Sequence, residues 1–248
     1  MAQAAAVNHV PVTLELGGKS PQILFADADL NAALPVVVNA IIQNAGQTCS
    51  AGSRVLIERP IYADVMALLK QRFEALRTGP GPRRRARLRA ADQPQASWTA
   101  WKARRFGRCD AGAPGGGARA AEWPMRRSGF YFPPLLLSDL PHHAPRWRRT
   151  RSSARCWPPL PSTARTKPRL ANDTPYGLTA AVWTRDGGRA LRMAHRIDAG
   201  QVFINNYGAG GGIELPFGGM KHSGYGREKA FEGLKASPRS RPSRSQHG

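Results

Sequence analysis

The sequence predicts an α/β fold, and three observations predict it. Short apolar segments of strand length alternate with segments whose apolar residues recur at helical spacing. Their order is strand, strand, helix, strand, helix before Pro80, and strand, helix, strand after Leu170, an arrangement that suits parallel pairing. The 248 residues are 41% hydrophobic, enough for one large or two small domains with a globular core.

The Ala-rich start, MAQAAAVNHV, reads as the end of a helix leading into a strand. In VTLEL (12–16) Val12, Leu14 and Leu16 alternate with Thr13 and Glu15 on the other face. Gly17-Gly18 ends that strand where another backbone or a flat ligand can approach closely. QILFA (22–26) is a second strand. Asp27 and Asp29 are N-cap candidates for the helical run that follows, and Gly46 is its stop. Pro35 inside that run predicts a start or a kink there. RVLIE (54–58) is a third strand, closed by Arg59-Pro60. Residues 61–76 carry Ile61, Val65, Leu68, Leu69, Phe73 and Leu76 on one helical face, stopped by Thr78, Gly79 and Pro80. Further on, TAAVWT (179–184) reads as a strand and 185–198 as a helix, weakened by Gly187-Gly188 and ended by Gly200. QVFIN (201–205) is the next strand. A glycine-rich loop follows, without the spacing of a phosphate loop, and then a short helix from Glu228.

The net charge of +21 resembles a nucleic-acid footprint until it is mapped. Residues 1–79 are neutral and residues 171–234 nearly so. Residues 80–170 hold twenty Lys/Arg against four Asp/Glu, and the last fourteen residues hold four against none. Neither basic piece shows period-2 or period-3.6 apolar order. Clustered Arg, Pro, Gly and Trp of this kind bury too little surface to offset the entropy of ordering, so disorder is expected there. Cys49, Cys109 and Cys156 form no CxxC, and neither they nor the six histidines have zinc-ligand spacing. No metal site and no disulfide framework are expected, which makes a reducing cytoplasm the default. No apolar run is long enough to predict a membrane span.

Two residues carry candidate chemistry. Glu15 stands at a strand end, suited to act as a general base. Cys49 follows a polar, glycine-bearing turn and precedes Ser50, Ala51, Gly52 and Ser53. Such a turn would lead into a short helix whose free N–H groups lower the thiol pKa and supply an oxyanion donor. The plainer readings are a small buried cysteine and a solvated glutamate, and spacing alone does not make an enzyme.

VTLELGGKSP and NAGQTCSAGSRVLIERPIY together resemble the glutamate and cysteine signatures of the NAD(P)-dependent aldehyde dehydrogenase family. The likeness continues in LANDTPYGLTAAVWTRD, AHRIDAGQVFINNYG and ELPFGGMKHSGYGREKAFEGL, in the family's order. The resemblance implies that Cys49 is the nucleophile, that Glu15 is the general base, and that Leu16 and Gly17 lie by the nicotinamide of NAD or NADP. It sets Phe217 near a substrate tunnel, a residue that reads equally well as a packed core aromatic. It further implies oxidation of a small-molecule aldehyde to an acid through a cysteine thiohemiacetal and thioester, with the Cys49 N–H as one oxyanion donor.

On this resemblance the chain divides into catalytic-domain parts at 1–79 and 170–234, with an irregular basic segment between them and a disordered tail at 235–248. GFYFPPLLLSDLP (129–141) is a family-like island within the basic segment. The abrupt switching between family-like and Arg/Pro-rich text is expected of frame errors or gene decay, with a natural Arg-rich insertion as the alternative. The family's ribose-binding residues and oxyanion asparagine have no counterpart in the sequence. A fragment that binds NAD(P) weakly or not at all is therefore expected, and the family's homo-oligomer is doubtful without its C-terminal strand. An Arg/Trp-rich nucleic-acid-binding protein and an inert pseudogene product are the remaining readings.

Overall fold

The computed structural model describes residues 1–76, 134–136, 156–157, 159–162, 167–208 and 212–236. Helix α1 (Ala2–Val7) buries none of its residues, and strand β1 (Leu14–Glu15) follows it. Strand β2 (Pro21–Leu24) leads through Asp29 into α2 (Leu30–Ile42). The Asp29 carboxylate accepts from the N–H groups of Asn31 and Ala32, a side-chain N-cap. Of the two aspartates, Asp29 is the cap. Asp27 has other work: it accepts from the Thr184 hydroxyl and from the Arg185 and Asp186 N–H groups. The helix begins upstream of Pro35 and runs through it, because the apolar face formed by Ala33, Leu34, Val37, Val38, Ala40 and Ile41 is buried and outweighs one lost hydrogen bond.

Strand β3 (Arg54–Glu58) and α3 (Tyr62–Glu74) come next, followed by the two-residue strands β4 (Leu135–Leu136) and β5 (Cys156–Trp157). Strand β6 (Pro159–Ser162), α4 (Lys167–Asn172), β7 (Tyr176–Gly177) and β8 (Thr179–Trp183) continue the chain. Helix α5 (Gly187–Arg196), β9 (Gln201–Ile204), β10 (Met220–Lys221), β11 (Gly224–Tyr225) and α6 (Ala230–Ala236) complete it.

Five strands form one parallel sheet in the order β6-β3-β2-β8-β9. Helices cover both of its faces, which is why these strands read as nearly continuous apolar text. Leu24, Val55, Ile57, Ala181 and Trp183 pack with α2 and α3 on one side. Their neighbours Ile23, Phe25, Leu56, Ala180 and Val182 pack with Ala171, Met193 and Ile197 of the α4–α5 layer on the other.

One expectation needs correcting. The sequence places no strand between 142 and 169, yet Pro159–Ser162 forms an edge of the main sheet beside β3. An edge strand tolerates proline because it needs no N–H on its open side. Of the family-like island, residues 134–136 are described, and Leu136 is buried in the α2–α3 core. Most of the basic segment and the tail from 237 lie outside the described residues.

Candidate active site

Glu15 and Cys49 lie in the segments that enter two neighbouring parallel strands. Pro21 of β2 is in register with Arg54 of β3. Walking back along both segments from that pair brings Glu15 and Cys49 to the same place. The two segments are bonded to each other there, since the Gly18 N–H donates to the Cys49 carbonyl at 2.9 Å. A side chain at position 18 would start 2.9 Å from the Leu178 Cβ and 3.2 Å from that carbonyl, so glycine is needed for the approach.

The Glu15 strand is held from its other side by β11. Glu15 pairs with Gly224 and Leu14 with Tyr225. Gly224 has φ +112, and a Cβ there would meet the Leu14 carbonyl at 1.8 Å. Ser223 ties the next residues down: its carbonyl accepts from the Leu16 N–H at 3.0 Å, and its hydroxyl donates to the Gly17 carbonyl at 2.9 Å. Gly17 is therefore buried and fixed, whereas the Leu16 side chain is 45% exposed.

Cys49 sits in a turn closed by the Ala51 N–H on the Thr48 carbonyl at 3.2 Å. The predicted short helix does not form after it, because the chain passes from this turn directly into β3. Without a helix N-terminus, the thiol is not activated in the way the sequence suggested. Burial raises its pKa above the ordinary thiol value, and the nearby Glu15 carboxylate raises it further by charge and by hydrogen bonding. The Ser50 N–H and hydroxyl pull the other way with less effect. Glu15 thus lies close enough to Cys49 for its charge to act on the thiol. The buried Glu15 Oε1 has no hydrogen-bond partner among the described residues. This arrangement is a protonated thiol facing a carboxylate able to take its proton, not a preformed thiolate.

Phe217 is buried, and its backbone exchanges both hydrogen bonds with Glu228, at 2.8 and 2.7 Å. Its ring lies 5.5 Å from the Lys229 ammonium. The structure places it in that bridge and gives it no role in the bonds that hold Cys49 and Glu15.

Three residues escaped the sequence reading. Ser223 holds the Glu15 segment, as above. Tyr207 is buried after β9 and donates from its hydroxyl to the Ser50 carbonyl next to the thiol. Arg54, fully buried, donates to the carbonyls of Lys19, Leu170 and Ala171 at 2.8, 2.8 and 2.6 Å. An arginine opening an otherwise apolar strand was the available signal, since a buried guanidinium needs several acceptors. Among the described residues no group of three or more His, Cys, Asp and Glu could hold a metal, and no helix is long and apolar enough to cross a membrane.

The model of the aldehyde dehydrogenase family matches residues 1–240. The chain belongs to the aldehyde dehydrogenase family. Its curated relatives include betaine aldehyde dehydrogenase of Bacillus subtilis, 33% identical over 237 residues, which are 94% of this chain and 47% of that protein. Succinate-semialdehyde dehydrogenase [NADP(+)] 1 of Mycobacterium tuberculosis is 33% identical over 248 residues, 94% of this chain and 50% of its own length. Among solved structures, a candidate aldehyde dehydrogenase from Burkholderia cenocepacia shares 49% identity at a TM-score of 0.82, covering 95% of this chain and 49% of that one. Betaine aldehyde dehydrogenase from Staphylococcus aureus, solved with NAD+, gives 0.85 at 28% identity over 95% of this chain and 46% of its own. The chain spans about half the length of the relatives it matches, and the part it spans includes the α/β sheet and the Glu15–Cys49 pair.

Proposed function

We propose that this chain carries the thiol–carboxylate machinery of an NAD(P)-dependent oxidation of a small aldehyde to its carboxylic acid. The observation that supports this reading most is the interaction of Glu15 with Cys49, two residues far apart in sequence, within a chain of this family. The Cys49 sulfur adds to the aldehyde carbon while Glu15 takes the thiol proton, so a new S–C bond replaces the carbonyl π bond. The Cys49 N–H is assigned to the oxygen that becomes anionic. NAD(P), when bound, supplies the acceptor for the hydride that leaves this carbon. Once Glu15 has passed the first proton to solvent, it acts again by taking a proton from the water that releases the acyl group from sulfur, and the Cys49 thiolate that leaves is the group freed.

The residues present fit one end of that cofactor. An exposed Leu16 side chain beside the fixed backbone of Gly17 offers an apolar surface for a flat ring, next to the Glu15 carboxylate.

The test is the pH profile of Cys49 alkylation by iodoacetamide, read by mass spectrometry of the Cys49 peptide. The midpoint lies above the ordinary thiol value, and Glu15→Gln lowers it by removing the opposing charge. An unchanged profile in Glu15→Gln rejects the pairing on which the mechanism rests. Hydrolysis of an activated ester by the chain should likewise disappear in Cys49→Ser.

A further inference from the structure

The geometry points to Tyr207 as a positioning residue for the nucleophile, acting at the end of a directed chain of buried hydroxyls, Ser20–Thr179–Tyr207. This inference rests on the reading of Cys49 as the nucleophile. Ser20 Oγ lies 2.8 Å from Thr179 Oγ1, and Thr179 Oγ1 lies 2.8 Å from the Tyr207 hydroxyl. Either atom of each pair can donate, but the far end settles the direction. The Ser50 carbonyl only accepts, so Tyr207 spends its single proton there. Tyr207 must then accept from Thr179, and Thr179, its own proton used, accepts from Ser20. Each hydroxyl polarises the next toward Ser50.

Ser50 is thereby gripped on both sides. The peptide before it is held by the Gly18 N–H on the Cys49 carbonyl, at 2.9 Å. The peptide after it is held by Tyr207 on the Ser50 carbonyl. With both neighbouring peptides fixed, the backbone of Ser50 has little freedom, and its N–H stays turned toward the sulfur, where it favours the thiolate. Burial pushes the Tyr207 phenol up to about 12, so it remains a neutral donor well above the ordinary tyrosine range.

The chain links four separated stretches of sequence. Ser20 precedes β2, Ser50 follows the nucleophile, Thr179 opens β8, and Tyr207 follows β9. The phenyl ring is seated independently of its hydroxyl, edge to face with Phe203 at 5.5 Å between centroids. Removing the hydroxyl alone is therefore a clean perturbation.

The experiment is Cys49 alkylation in the full chain across pH, comparing wild type, Tyr207→Phe, Thr179→Val, Thr179→Ser and Glu15→Gln, with circular dichroism as the check on folding. Tyr207→Phe should raise the midpoint by about half a pH unit, which is about threefold slower labelling below it. Thr179→Val should shift it less in the same direction, and Thr179→Ser should match wild type. A folded Tyr207→Phe with the wild-type profile overturns the inference. Should that variant not fold, an unchanged profile in Thr179→Val overturns it equally. The underlying reading is separated by Glu15→Gln: if that variant also leaves the profile unmoved, the Glu15–Cys49 pairing has failed rather than the hydroxyl chain.

Discussion

Burial does most to keep the thiol at position 49 protonated, and the carboxylate best placed to deprotonate it adds to the effect. Glu15 raises the Cys49 pKa while negative, and that penalty disappears once the carboxylate has taken a proton. The position of Glu15 in turn depends on a glycine over two hundred residues away. Gly224 carries φ +112 and presses against the Leu14 carbonyl, so Gly224→Ala cannot keep the β1–β11 pairing. The expected outcome is a Cys49 alkylation midpoint that falls toward that of Glu15→Gln, as the carboxylate drifts from the sulfur. A wild-type midpoint in a folded Gly224→Ala protein would contradict this. Glu15 and Cys49 were singled out in the sequence by the glycines near them, but spacing alone did not join them, and the pairing came from the family resemblance. The state of the thiol was not legible, since it depends on burial and on a turn that continues into a strand instead of a helix.

The helices and strands on either side of the basic segment follow the apolar periodicity closely. RVLIE is β3 residue for residue, and the 61–76 pattern encloses the observed Tyr62–Glu74 helix. Pro35 misled because a local rule was read without its tertiary context: a helix with six buried apolar residues absorbs a single missing donor. The cap at the start of that helix makes a separate contribution. Asp29→Ala loses two hydrogen bonds to backbone N–H groups and should cost about 1 kcal/mol in denaturant unfolding, with no change in the Cys49 profile. Loss of well under half that amount would mean that water replaces the cap. Strand β6 was invisible for a different reason. Its residues PLPS carry no strand signal of their own, and only pairing with β3 gives them one.

At the scale of the whole molecule, buried charge binds the stretch before the basic segment to α4, the helix that spans that segment's end. Lys167, fully buried at the start of α4, lies 3.5 Å from Glu58 Oε1 at the end of β3, with its ammonium 3.5 Å from the centroid of the Phe25 ring. Burial lowers its pKa from 10.5 to about 8, more than Glu58 restores. The folded protein therefore holds this proton less tightly than the unfolded chain does. Below about pH 8 the cost of burying the charge is felt in full, and it is relieved as pH rises from there toward 10.5. The melting temperature of wild type relative to Lys167→Met should accordingly increase between pH 8 and pH 9, and a difference that stays flat over that interval would rule this out.

Arg54 joins the same two stretches, with its guanidinium on carbonyls 116 and 117 residues further along. Strand β2, whose approach carries the carboxylate, lies between β3 and β8. During synthesis Glu15, Cys49 and β2 emerge together, but β8, the strand that must lie beside β2, is synthesised more than a hundred residues later. Until it arrives, β2 is a bare edge and Arg54 lacks two of its acceptors. A product ending at residue 76 would therefore hold both side chains without the Ser223, Gly224 and Tyr207 contacts that fix their backbones, and its open strand would tend to recruit other copies instead.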